Sequence, residues 1–279
     1  MQQIGDELED QTQALSQISD GTEKVKILDL CMAPGGYTAS ALKYNPGATA
    51  FGITLSPAQG GHKMLLKSNN STVLFRDITM LAKEFGFDDL PPTHPEHKSF
   101  LNERPYLEHK FYLVFCDGQV LRTHQRAEYR EQHEARRLTT SQLILALQRI
   151  RPGGTMVVLL HKADSWVAVE LMYHFNQFSS IQLFKPKQKH ALRSSFYLIA
   201  KNVRPDADGA RTAVESWKRS WWSATFGGEN GTGEFEVKAS TDYVQTVLDD
   251  FGGKLVELGR PVWQIQANAL NRKLTNKWY

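Results

Sequence analysis

The chain has 279 residues, with 33 Lys and Arg against 30 Asp and Glu, a net charge of +3. That length suits one large α/β domain or a domain with an appendage, and so small an excess of charge does not by itself imply nucleic acid. Two cysteines exclude a disulfide framework and a zinc site. No apolar run approaches the roughly 18–20 residues needed to cross a bilayer, and Met1–Asp20 is polar and acidic, unlike a signal peptide, so an intracellular protein of cytoplasm or nucleus is expected.

In chain order, residues 1–22 read as a polar N-terminal segment. Residues 23–203 then alternate strand and helix signals. Strands are expected at Ile27–Cys31, Ala48–Thr54, Thr72–Phe75, Phe111–Cys116, Thr155–Leu160, Ile181–Phe184 and Phe196–Lys201. Most are short apolar runs without clean alternation, the pattern of strands covered on both faces. Helices are expected at Tyr37–Tyr44, Gln59–Lys67, Thr79–Phe85, Thr139–Ile150 and Ser165–Phe178. This rhythm predicts a doubly wound, mainly parallel seven-stranded sheet with helices on both faces.

Two insertions interrupt the rhythm. Gly86–Lys110, rich in Pro, His and charge, reads as a long surface loop. Gln119–Arg137 sets Arg122, Arg126, Arg130, Arg136 and Arg137 against Glu128, Glu131 and Glu134, either as a solvated, salt-bridged helix or as a basic flap beside the site. Residues 204–279 form a C-terminal helical extension, with helices at Ala213–Phe226, Thr241–Phe251 and Val262–Asn276. Trp217, Trp221 and Trp222 fall at helical spacing, which reads as a packing stripe.

In an open α/β sheet, ligands gather at the carboxyl ends of the strands. The first strand delivers Asp29 and then Ala33-Pro34-Gly35-Gly36-Tyr37, a turn that opens a helix and directs free N–H groups at an anionic group. Neither G-x-G-x-x-G nor a P-loop is present. The second strand delivers Thr54, as a hydrogen-bonding hydroxyl or a turn residue. The third delivers Asp77, as a ligand group or a helix N-cap. The fourth delivers Asp117 before Gly118.

Asp29-x-x-x-Ala-Pro-Gly-Gly resembles the first motif of S-adenosylmethionine (SAM) methyltransferases, specifically FtsJ-like ribose 2′-O-methyltransferases. The resemblance spans residues 27–202 and includes Ile150-x-Pro-Gly-Gly-Thr-Met-Val-Val and Arg193-Ser-Ser-Phe-Tyr-Leu-Ile-Ala200. It implies a Rossmann-like methyltransferase fold with SAM as cofactor and no metal. Asp29, Ala33, Pro34, Gly35, Gly36, Tyr37, Thr54, Asp77 and Asp117 would then hold the cofactor, with Asp77 on the adenine amino group and Asp117 also catalytic.

The family's Lys-Asp-Lys-Glu tetrad matches only at Asp117. The fifth-strand lysine falls on Leu159, the glutamate on Ser195, and no lysine precedes Lys24. Lys162, then His161, are the substitutes expected for the missing base. Lys162 can reach the site only where the strand ends at His161 and the loop turns back. Lys185, Lys187, Lys189 and Arg193, in a segment with no acid, read as a surface for an RNA backbone.

Three functions follow from these readings. The first is SAM-dependent methyl transfer to an RNA ribose 2′-hydroxyl. The second is a catalytically degenerate fold that binds SAM or RNA. The third is methyl transfer to a small molecule or a protein.

Overall fold

A computed structural model describes residues 1–19, 21 and 23–275. Asp20 and Thr22 of the N-terminal segment, and Asn276 at the end of the last predicted helix, lie outside them. The strands are β1 (Lys26–Leu30), β2 (Thr49–Thr54), β3 (Ser71–Phe75), β4 (Phe111–Cys116), β5 (Ile150–His161), β6 (Ser180–Phe184) and β7 (Ser195–Val203). They form one seven-stranded sheet in the order β3-β2-β1-β4-β5-β7-β6. β1 pairs parallel with β2 and β4, while β7 runs antiparallel to both β5 and β6. All seven expected strands form.

Alternate residues of each central strand enter different cores. Leu28, Leu30, Val114 and Cys116 face one core and Ile27, Leu113 and Phe115 the other. Burial on both faces is why these strands lack an apolar–polar alternation. Helices α1 (Gln2–Thr12) and α2 (Gly36–Tyr44) supply Ile4, Leu8, Tyr37 and Ala41 to the second core. Helices α3 (Glu134–Arg149), α4 (Trp166–Phe178) and α5 (Asp208–Phe226) cover the first. Trp217 and Trp221 are buried there, and Trp221 Nε1 donates to the Thr79 carbonyl at 3.0 Å, so the tryptophan stripe is a packing stripe.

α3 and α5 each begin five residues earlier than expected, and the helices differ further in four places. The N-terminal segment contains α1, an acidic helix that buries few residues beyond Ile4 and Leu8. Gln59–Lys67 is not a helix. A single 3₁₀ turn, Pro57–Gln59, ends at Gly60 with φ of 88°, and Leu65 and Leu66 donate to the Pro34 carbonyl at 3.1 and 3.2 Å. Thr79–Phe85 shortens to the 3₁₀ turn Ile78–Met80. The two last helices are one, α6 (Thr241–Thr275), running through Pro261. Pro261 lies on the exposed side, where water can take the carbonyl its ring leaves unpaired. The 86–110 insertion is packed rather than free, with His94 and Phe100 buried against Phe226.

Candidate active site

Strand order reverses between β1 and β4, and a cavity of about 240 Å³ opens above that point. It is lined by Asp29, Ala33, Pro34, Gly36 and Tyr37 from the first turn, Thr54 from β2, Asp77 from β3 and Asp117 from β4. The sequence-predicted cofactor residues therefore converge, apart from Gly35, which is buried behind the turn.

The turn's glycines have a different use from the one expected. A Cβ on Gly36 would lie 2.5 Å from Met1 Cβ, and one on Gly35, where φ is 97°, would lie 2.6 Å from Leu66 Cβ. The missing side chains make room for α1 and the 64–66 segment rather than for a ligand. Thr54 also works on the turn, since its Oγ1 accepts from the Ala33 N–H at 3.3 Å. Beneath the turn, Tyr37 stacks on Phe115 and its hydroxyl hydrogen-bonds that of Tyr197.

Asp29 is 2% exposed and accepts from the Thr38 hydroxyl through Oδ2, while Oδ1 is buried without a partner. Burial pushes its carboxyl up to about 6, against the pull of the Thr38 hydrogen bonds. Asp117 is pushed well above the carboxylate range, first by burial and then by the charge of Asp29. Gly118, next in the chain, is fixed by Gln142 of α3, which accepts from its N–H at 2.9 Å. Burial and Asp117 together push the Cys116 thiol up, and burial and Asp117 do the same to Cys31, leaving both as inert free thiols.

The opposite wall is an ion-pair cluster. Arg130, 4% exposed, donates through Nη2 to Asp77 at 3.0 Å, to Glu134 at 2.8 Å and to Thr79 Oγ1 at 3.0 Å. Its Nη1 reaches Glu96 at 3.1 Å. Burial works against the charge on Asp77, but Arg130 and Thr79 outweigh it and hold the carboxyl below its usual range. Asp77 Oδ1 also accepts from the Thr79 N–H at 3.0 Å, so it is at once a cap and a cavity wall. His124 lies between the acids, with Nε2 3.8 Å from Asp77 and Nδ1 3.7 Å from Glu134, and burial pulls its proton affinity down. Ligand atoms of Asp77, His124 and Glu134 fall within 4.8 Å of one another. The Arg130 guanidinium already bonds both carboxylates, so this is the geometry of an ion pair rather than of a metal centre.

Residues 119–133 are thus neither an exposed helix nor a solvated charge run. They form a flap whose Val120, Leu121 and His124 line the cavity and whose Arg130 is its buried anchor. The spacing of Arg130 and Glu134, at i and i+4, is the only trace of this in the sequence. The flap clasps the loop after β2. Thr123 Oγ1 donates to the Gly60 carbonyl at 2.6 Å and the Gln125 N–H to the Gln59 carbonyl at 3.1 Å.

A Cβ on Gly60 would sit 1.8 Å from the Thr123 carbonyl oxygen. Gly60→Ala is therefore expected to lose about 1–3 kcal/mol by denaturant unfolding. Gly47→Ala shares the positive φ, at 84°, but meets nothing within 4 Å. It is expected to lose clearly less, and equal losses would show that the clasp contributes nothing.

The expected base and substrate residues lie elsewhere. β5 does end at His161, and Lys162 turns back with φ of 52°, its N–H on the Ser194 carbonyl at 3.0 Å. Both side chains are exposed, and neither lines the cavity. Lys185 is not on the surface at all. It is 2% exposed and donates to the Arg193 and Ser195 carbonyls at 2.6 and 2.9 Å, with burial pulling it down to about 8. Lys187, Lys189 and Arg193 are exposed.

A model of the FtsJ-like methyltransferase family matches residues 7–203 of the chain. No curated protein matches it in sequence. Among solved structures it is similar to an rRNA methylase from Streptococcus thermophilus, with 11% identity, 65% of this chain and 88% of that one covered, and a TM-score of 0.37. It is also similar to human methyltransferase-like protein 13 in complex with SAH, with 11% identity, 81% and 90% covered, and a TM-score of 0.40.

The cavity residues fit the family's cofactor. SAM carries an ammonium and a sulfonium, and the wall holding Asp29 and Asp117 offers two acids and the unpartnered Asp29 Oδ1. Ile78, Val120, Leu121 and Leu138 supply the apolar surface a purine ring needs. The chain belongs to the FtsJ-like methyltransferase family, whose methyl donor, S-adenosylmethionine, is its cofactor.

Proposed function

We propose that the protein is a SAM-dependent methyltransferase acting on RNA ribose 2′-hydroxyls. The observation that carries this reading is the convergence of Asp29, Asp77 and Asp117 on one cavity, within a chain of this family. Asp29, with the Ala33–Tyr37 turn, would hold the charged end of SAM, and Asp77 the adenine. Bound SAM supplies a methyl group already activated by its sulfonium. The chain's part is to place the acceptor oxygen and to manage its proton. Asp117, whose burial beside Asp29 raises its affinity for a proton, is suited to orient and take that proton. His161 and Lys162, exposed at and just after the carboxyl end of β5, stand as accessory groups toward the substrate.

The second reading, a degenerate fold that binds SAM or RNA without turnover, is favoured by one observation. Among the described residues no lysine lines the cavity, and Leu159 and Ser195 stand where the family has its lysine and glutamate.

Methyl-labelled SAM with total RNA separates the two. The wild type is expected to place label in RNA, in dinucleotides that resist alkaline hydrolysis as a 2′-O-methyl linkage does, and Asp117→Ala is not. Calorimetric SAM binding with no label in RNA would leave the module, or a small-molecule or protein acceptor. No SAM binding would sink every enzyme reading.

A further inference from the structure

Helix α6 lies beyond the segment matched by the family model and is polarised in charge. Residues 241–257 hold Asp242, Asp249, Asp250 and Glu257 against Lys254. Residues 258–275 hold Arg260, Arg272 and Lys273, with the amides Gln264, Gln266, Asn268 and Asn271 and no acid. The two halves lie against different parts of the fold. The acidic half runs along α4, where the Tyr173 hydroxyl donates to Asp250 at 3.1 Å and Lys254 to Asn176 at 2.6 Å.

The acid-free half faces the loop between β6 and β7 across a cleft of about 660 Å³. Lys187 and Gln188 stand on one side of that cleft and Asn268 and Arg272 on the other, with the buried Ala191 and Ala269 at its base. Among the described residues no acidic one lines it. Glu7 touches this loop from α1, accepting from the Lys187 backbone N–H at 2.8 Å. Among the described residues neither Lys187 nor Arg272 is in a salt bridge.

A favourable interaction with the helix dipole accounts for cations in the last turn of α6. It does not account for the absence of acids over all of residues 258–275, nor for a second cationic segment placed opposite. β6 runs parallel to β5, because both are antiparallel to β7. The loop from Lys185 to Ser194 therefore springs from the same sheet edge as Asp117 and the cavity.

We infer that this cleft, built jointly by α6 and the 185–194 loop, binds the sugar–phosphate backbone of the RNA substrate. The C-terminal extension is then an RNA-holding element, reading charge rather than sequence. The inference rests on the RNA reading of function. Its chemistry is the pairing of Lys187 and Arg272 with phosphate and of Asn268 and Gln188 with ribose or phosphate oxygens.

The test measures binding of a fluorescent single-stranded RNA of mixed sequence by the full chain, as a function of salt. Lys187→Gln with Arg272→Gln is expected to weaken binding about tenfold at low salt. It is also expected to lower the slope of log K against log salt by about 1.4, the share of two phosphate contacts on a single strand. SAM affinity by calorimetry is expected to stay at the wild-type value, which shows that the fold is intact. Asp242→Asn with Asp249→Asn, on the other half of the same helix, is expected to leave the slope unchanged. If the wild type binds and methylates RNA while the Lys187 and Arg272 variant keeps its slope and affinity, the cleft proposal is wrong and the RNA reading stands. If the wild type binds no RNA, both fall.

Discussion

Replacing Arg130 by alanine is expected to cost about 3–5 kcal/mol of stability, the range for removing one partner of a buried ion pair. The guanidinium is 4% exposed and serves Glu134, itself 2% exposed, together with Asp77 and Glu96. Without it two carboxylates face each other in the cavity wall with only His124 between them, and burial works against a charge on that imidazole. The flap would lose its anchor and SAM affinity would fall as well. Arg130→Lys is expected to lie between the two, since an ammonium cannot span Asp77, Glu96 and Glu134 at once.

The pH dependence distinguishes loss of the ion pair from a simple packing defect. The Asp77 carboxyl is held below its ordinary range in the fold, so its contribution is present above the unfolded value near 3.8 and is lost as pH falls through the folded one. In the alanine variant that contribution is absent, and the facing acids bind protons more tightly than in the unfolded chain. Its deficit against the wild type is therefore expected to be larger at pH near 8 than at pH near 5. Denaturant melts at the two pH values check this, and a deficit independent of pH would assign Arg130 a packing role only.

The difference between what the sequence revealed and what it hid follows from what each signal depends on. Strands such as Phe111–Cys116 were legible because burial on both faces demands an unbroken apolar run, which is a local property. That Asp29, Asp77 and Asp117 line one cavity was legible because a carboxylate in or just after such a run has few structural uses. The flap was not. Arg130, Glu134 and Arg137 are the residue types of a solvated helix, and only the fold around them makes them interior. Helix α1 was hidden for the opposite reason: its exposed side is so polar and acidic that Ile4 and Leu8 do not make a visible stripe. Gln59–Lys67 has helical composition, but the flap donates to the Gln59 and Gly60 carbonyls and the Pro34 carbonyl accepts from Leu65 and Leu66, which takes the backbone groups a helix would need. Lys185 shows the same limit. In a run of four cations nothing local marks the one whose ammonium turns inward to two carbonyls.

Asp117→Asn is expected to move activity and stability in opposite directions. Methyl transfer should fall by about 10²–10⁴, the usual contribution of a placed acid–base group. Stability of the protein without SAM should rise at neutral pH. Asp29 is buried and Asp117 half-buried, and the fold has raised the proton affinities of both, Asp29 to about 6. The folded state thus binds more protons than the unfolded chain once pH passes the ordinary carboxylate value near 3.8. Stability of the wild type declines as pH rises from there through the raised values. An amide at position 117 removes one of the two groups and relieves the repulsion on Asp29, so the decline should be shallower. Bound SAM acts on the same pair from the other side, because its cationic centres favour the ionised carboxylates. The stabilisation that SAM gives the wild type should therefore grow as pH rises through about 6, and grow less in the variant. Thermal melts across pH with and without SAM, alongside label transfer to RNA, test each part. A variant that transfers methyl at the wild-type rate would remove Asp117 from the chemistry. A variant with lost transfer and an unchanged stability profile would show that Asp29 and Asp117 do not share their charge.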